Sequence, residues 1–537
     1  MQIFGRILRR GALALLSGAI AVSVGPIAAQ AQSDKNTLVV AVSHDLQNTD
    51  PTLTSGNTAT WEFLTNVYNW LIDYEVVTLD DGTRIGDANS FVGSLAESFE
   101  WSNDGKTVTF KMRDGLKFSN GDPLTAEAVK FTFDRIFDQK GVTVGNMALA
   151  EVPDKHHIEL IDSETVAIHL DRANSLLFGN MAQAGNSILN PKVVGPHMTD
   201  DDPYAHEFLK VDSRGTEQGP YRMDSWDPGN QYVLVRNDNY HGEPANIERI
   251  VFKIIPDPAS RLAQLVSGAV DIALELPTID IPSLEANPDI TVHRNTSRSI
   301  AYIGMNNEVA PFDNKLVRQA ISYAVPYDTI IDIVLNGYAV QLKSPIPFGT
   351  PGHTDQFFVY EQNFEKAKEL LVEAGYPDGF SSVFEIPIGN QEAKETAVFL
   401  KDSLAKIGVD IQIQELPGAA YFEKIQKHEL KFFFTNFWIS INNDPYYHVY
   451  WKFHHSCCNY ANYANSTVDQ LIADNTISTD TAAQAAAIEE IQRILLDEAP
   501  WVLLYQPEHI LAMRSNVKGY AYYSADNFTR YQYLYKE

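Results

Sequence analysis

The chain has 537 residues, with 41 Lys and Arg against 69 Asp and Glu, for a formal charge of −28. At roughly 150 residues per domain this is too long for one core, and a 45% apolar fraction with 27 Phe and 25 Tyr excludes global disorder. A chain this acidic lacks the clustered Lys and Arg of a phosphate-binding face, so no nucleic-acid partner is expected.

Arg6, Arg9 and Arg10 form a basic start, Gly11 to Val24 carries no charge, and Ala29-Gln30-Ala31 is a small-x-small cleavage site. Residues 1–31 therefore read as an export signal, and losing its three Arg takes the charge from −28 to −31. About 14 apolar residues are too few to span a bilayer, and no later stretch approaches about 18, so no membrane insertion is expected. The cysteines are Cys457 and Cys458 alone, which leaves none at the cleavage site to carry a lipid. The expected location is a Gram-negative periplasm, free of the membrane and without a lipid anchor.

Leu38 to Val42 reads as a buried strand, with a turn at Asp50-Pro51. Val108 to Met112 alternates as a second strand, and Thr125 is positioned to cap a helix over 126–137. Strands return at 232–235 and 250–255, and a short helix over 261–266 ends at Gly268. In the second half, Asp313 is expected to cap a helix whose apolar face holds Leu316, Val317, Ala320, Ile321 and Ala324. Further helices are predicted over 366–374, 392–407 and 485–499, closed by Gly375, Gly408 and Pro500. A strand follows at 409–413. Helices and strands alternate without a repeat, so the class is α/β.

Signatures of a secreted enzyme are missing. No G-x-S-x-G elbow is present. His206-Glu207 has Lys210 where a zinc protease needs its second histidine, and Gly105-Lys106-Thr107 has Glu100 in place of the phosphate-loop glycine. No G-x-G-x-x-G turn exists for a dinucleotide, and no cofactor is expected. His454-His455-Ser456-Cys457-Cys458, preceded by Asp444 and His448, gathers soft and borderline metal ligands in one loop. In an oxidising compartment, however, Cys457 and Cys458 also form a possible disulfide, closing a strained ring because adjacent Cα atoms lie only about 3.8 Å apart.

Several blocks in order resemble the peptide/nickel class of extracytoplasmic solute-binding proteins, family 5, of ABC importers. The first runs from Leu95-Ala96-Glu97-Ser98 through Trp101-Ser102-Asn103-Asp104-Gly105-Lys106 to Asn120-Gly121-Asp122-Pro123-Leu124-Thr125-Ala126. The others include Gly219-Pro220-Tyr221, Ser267-Gly268-Ala269-Val270-Asp271, Pro311-Phe312-Asp313 with Val317-Arg318-Gln319-Ala320, and Ala374-Gly375-Tyr376-Pro377-Asp378-Gly379-Phe380. The resemblance implies a two-lobed periplasmic binding protein fold of the large type. Lobe I would hold 32–295 with a subdomain at about 75–211, lobe II 296–512, and the tail from 513 would return to lobe I. It also implies a monomeric receptor without catalytic activity that closes on a solute between the lobes and docks on inner-membrane permease subunits.

By position in that class, His44, Asp45 and Trp61 would line the cleft from lobe I. The loop holding Trp438, Ile441, Asn442, Asn443 and Asp444 matches the W-x-x-D-x-x-D-P ligand loop. Peptide receptors hold the peptide ammonium on the first acid of that loop, and here that position is Ile441. The arginine position for a peptide carboxylate falls on Pro387 or Ile388. These departures weaken the peptide reading without excluding it, because a longer peptide could be held by its backbone; a peptide or amino-acid conjugate stands first, a sugar-containing solute second and a chelated metal such as nickel third. The rivals from other classes are a secreted hydrolase and a peptide-binding chaperone.

Overall fold

The computed structural model describes residues 35–53, 57–80, 82–455, 458–478 and 480–537. The expected export signal and Cys457, hence the possible disulfide, lie outside the described residues. No helix among the described residues is long and apolar enough to cross a membrane.

The run Leu38–Val42 forms the strand Thr37–Val42, with a parallel neighbour on each side, Arg249–Ile254 and Ile272–Ala273. A strand flanked in this way inside a sheet covered on both faces is buried on both, which is why its apolar run is unbroken. Among the described residues it belongs to a twelve-stranded sheet whose far half holds Ser299–Met305, Phe432–Ile439 and the parallel pair Phe380–Pro387 and Val409–Leu416. The helix Gln391–Ala405 joins that parallel pair as a crossover.

One long strand, Trp501–Arg514, links the two halves. Its start, through Tyr505, pairs with Ser299–Met305, and its end, from Glu508, pairs with Ile290–Thr296 and Ile272–Ala273. Val502 to Tyr505 sit in one core with Ile303, Val317 and Phe432, whereas Leu511 and Met513 sit in another with Leu38, Val40 and Phe252. Two cores joined by extended crossovers make two lobes. A third core lies under the four-stranded sheet containing Thr107–Met112 and the helix Ala126–Asp138.

The crossovers brace each other. The Ser297 hydroxyl donates to the Pro507 carbonyl at 2.5 Å, and Gln506 Nε2 donates to the Ser297 carbonyl at 2.6 Å. The segment after the first strand is pinned to the helix Ala126–Asp138 by Asp50, whose carboxylate accepts from both terminal nitrogens of Arg135 and is 2.6 Å from His206 Nδ1.

Predicted helix ends differ in their caps. Thr125 takes the N-cap position without a side-chain bond, and the cap of Lys315–Ala324 is Asn314, not Asp313, because the Asn314 amide oxygen accepts from the Leu316 N–H. The helix expected at 261–266 starts earlier, at Pro258, since Asp257 caps it and proline suits its first turn. Gly268 closes it with φ +76°, the left-handed conformation a glycine takes without a Cβ penalty.

Candidate functional site

Between the lobes lies a cavity of about 350 Å3, within the range of small-molecule sites. Lobe I contributes Thr58, Glu62 and Glu275; lobe II contributes Ser299, Asn436 and Ile439. The crossing strand supplies His509 and Leu511, and the C-terminal tail supplies Asp526 to Thr529. Its wall mixes apolar and polar side chains, and Glu62, Glu275 and Asp526 bring three carboxyl groups to it.

Each carboxyl has a distinct environment. Glu62 is 3% exposed on the helix Thr58–Val67 and accepts a hydrogen bond from the Tyr531 hydroxyl. Burial pushes its pKa up to about 7; Tyr531 pulls against this, and the charges of Glu275 and Asp526 add to the rise. Asp526 is ion-paired to Arg530 at 2.7 Å. Glu275 accepts from the Ser43 hydroxyl and lies 4.0 Å from His44 Nδ1. Burial alone holds the His509 pKa down to about 4, so its ring is neutral at pH 7, and its Nε2 has no hydrogen-bond partner among the described residues.

The loop after the strand Phe432–Ile439 does something different: it crosses to lobe I and docks on the subdomain. The Ile441 carbonyl accepts from the Tyr74 hydroxyl at 2.8 Å, and the Ile441 side chain packs on the subdomain core. Asn442 Nδ2 donates to the Leu176 carbonyl at 3.0 Å and to Asn180 Oδ1 at 3.2 Å. Asn443 Nδ2 donates to Asn89 Oδ1 at 2.7 Å, while its own Oδ1 accepts from Arg298 Nη1 at 3.4 Å. Asp444 caps the helix Pro445–Phe453 and accepts from the Ser175 hydroxyl at 2.8 Å. Burial raises the Asp444 pKa, against the pull of its bonds from Tyr446 and Ser175. The loop thus seals the cleft.

The other expected residues fall around the cavity, not in its wall. His44 is largely exposed beside Glu275. The Asp45 carboxylate is taken up locally by Trp226 Nε1 and the Gly229 N–H, at 2.8 and 2.7 Å. Trp61 packs against the lobe I core. Trp438 packs between cores of both lobes, donates to His448 Nδ1 at 3.2 Å and has Lys452 Nζ 4.0 Å above its ring. Glu62, next to Trp61, and Ile439, next to Trp438, line the cavity instead. Thr58 and Glu62, one helical turn apart, face the cavity, and Glu62 is the single charged residue of its helix. That lone carboxyl was the signal available.

The family model of bacterial extracellular solute-binding proteins, family 5 (middle region), matches residues 90–458. The probable D,D-dipeptide-binding periplasmic protein DdpA of Escherichia coli (strain K12) is 31% identical over 499 residues, covering 92% of this chain and 93% of that protein. Heme-binding protein A of Haemophilus influenzae is 28% identical, covering 91% and 90%. The ABC transporter-associated periplasmic binding protein DppA from Helicobacter pylori, solved with the peptide STSA, superposes with a TM-score of 0.80 at 25% identity, covering 93% of this chain and 98% of that one. The match over most of the chain, in sequence and in fold, places it: this protein belongs to the bacterial extracellular solute-binding proteins of family 5.

Proposed function

We propose that this protein is the exported receptor of an ABC importer, enclosing a short peptide or peptide-like solute between its lobes and presenting it to the inner-membrane permease. The observation that carries this is the interlobe cavity, whose wall is drawn from both lobes, from the crossing strand and from the C-terminal tail. A solute there touches both lobes only when they are together, so its binding energy favours the closed form. Closure is then what the permease would read. The relatives named for dipeptides and peptides support a peptide solute, and the carboxyl groups of Glu62, Glu275 and Asp526 suit its ammonium end. The ammonium-binding acid missing at Ile441 is on this reading supplied from across the cleft by Glu62.

Binding without turnover fits the polar groups present. Among the described residues, the nearest approach to a nucleophile–base pair is Ser43 with His44, 2.6 Å apart. That hydroxyl is engaged by Glu275 as well, and no carboxylate among the described residues orients the exposed His44 ring through Nε2, as a triad requires. We place the lobe boundaries at Ser297–Arg298 and Gln506–Pro507, where the chain leaves one core for the other, and not at 295/296 and 512/513.

Native mass spectrometry of the exported protein, followed by fragmentation of whatever is released on denaturation, tests the proposal. A peptide or amino-acid conjugate is expected. A solute with no amine, such as a simple glycoside, would overturn the peptide reading while leaving the receptor reading intact. Chemical turnover of a bound solute would overturn both.

A further inference from the structure

The helix Pro445–Phe453 begins at the cleft with Asp444 and ends at His454. There three potential ligands converge. His454, His455 and Asp469 each offer one ligand atom, and these atoms lie within 4.8 Å of one another. His455 Nδ1 and Asp469 Oδ2 are already 3.4 Å apart, matching the roughly 3.4 Å ligand–ligand edge of a tetrahedral site with bonds of about 2.0–2.1 Å.

Two further observations point the same way. His454 Nδ1 and Asp469 Oδ1 are both buried and have no hydrogen-bond partner among the described residues, although buried polar atoms are nearly always satisfied. The His454 ring is stacked on Tyr450, with ring centroids 4.9 Å apart, and lies 3.9 Å from the His455 ring.

We propose that His454, His455 and Asp469 form a divalent metal site, outside the solute cavity, that ties the end of the helix Pro445–Phe453 to the helix Ser466–Thr476. Two imidazoles and one carboxylate select a borderline cation of the zinc or nickel type over calcium or magnesium, which take oxygen ligands. Three protein ligands leave the remaining position to water. The site is independent of the identity of the transported solute.

Zinc sulfate titrated into tag-free, chelator-treated protein by calorimetry, with metal content measured after dialysis, tests this. One equivalent of zinc is expected, with a zinc-dependent rise in melting temperature. His455→Ala and Asp469→Asn should each weaken zinc binding at least tenfold while leaving the melting temperature without metal nearly unchanged. His455 is 75% exposed in its side chain, so its truncation does not threaten the fold. Failure of the wild-type protein to take up stoichiometric zinc overturns the site. Unchanged zinc binding by both variants overturns it equally, since the metal would then be held elsewhere.

Discussion

The side-chain amide of Asn442, on lobe II, rests directly over the bare Cα of Gly179, on lobe I. A Cβ on Gly179 would come within 2.5 Å of it, and the three nearest atoms it would meet all belong to Asn442. Contact between the lobes therefore uses the missing side chain at 179, and any side chain there acts against closure before it disturbs lobe I itself.

Gly179→Val is accordingly expected to weaken solute binding by about tenfold or more, because the closed form is taxed in every binding event. Small-angle scattering with saturating solute should show a larger radius of gyration than wild type. Asn442→Ala removes the opposing atoms and two hydrogen bonds worth about 1 kcal/mol each. Combined with Gly179→Val it should cost less than the two losses summed, and strict additivity would show that the two residues do not meet.

Glu62→Gln tests the carboxyl in the cavity. With a folded pKa of about 7 against an ordinary 4.5, the fold holds the proton more tightly than the unfolded chain does. Stability therefore falls as pH rises from 4.5 to 7, by about 3 kcal/mol, and stays lower above that. The variant should flatten this part of a denaturation series. If an ammonium sits beside Glu62, wild-type binding at pH 6 should release a proton, seen as a buffer-dependent heat in calorimetry, and Glu62→Gln should abolish it.

Asp50→Asn leaves Arg135 without its anionic partner, with both side chains wholly buried. A loss of about 3–5 kcal/mol is expected on denaturant unfolding. Burial raises the Asp50 pKa, but the bonds from His206 and Arg135 outweigh it and the net shift is downward from 3.8. The stabilisation is thus present above pH 3.8 and lost as pH falls through the lower folded value, so the variant should remove part of the wild-type acid transition.

Ile441→Asp would restore the acid of the peptide-receptor loop, yet in this fold the position faces the subdomain core. The new carboxylate would be desolvated among apolar side chains. Affinity for free peptides should fall by about tenfold. A gain in amine-dependent affinity would show that the loop can turn toward the solute.

Much of the architecture is legible in the chain because its signals are local. Leu38–Val42 is apolar throughout since it lies between two parallel strands, and Gly375 and Gly408 close helices wherever the backbone must turn left-handed. Caps were less legible. Adjacent Asp313 and Asn314 offer the same chemistry, and only the geometry of the first turn selects Asn314. Trp61 and Glu62 are neighbours on one helix, and the face that meets the core could be told from the face that meets the cavity only with the second lobe in place.

The amino-acid sequence by itself determined the α/β class, the family and the absence of common catalytic motifs, because each is written in short contiguous patterns. Tertiary structure decided the rest. Glu62 meets Tyr531 across 469 residues, and their cavity exists only because one strand carries the chain back between the lobes. Whether Asn442 and Asp444 hold a solute or seal a cleft depends on what lies opposite them, and that is fixed by the packing of two lobes, which no local pattern encodes.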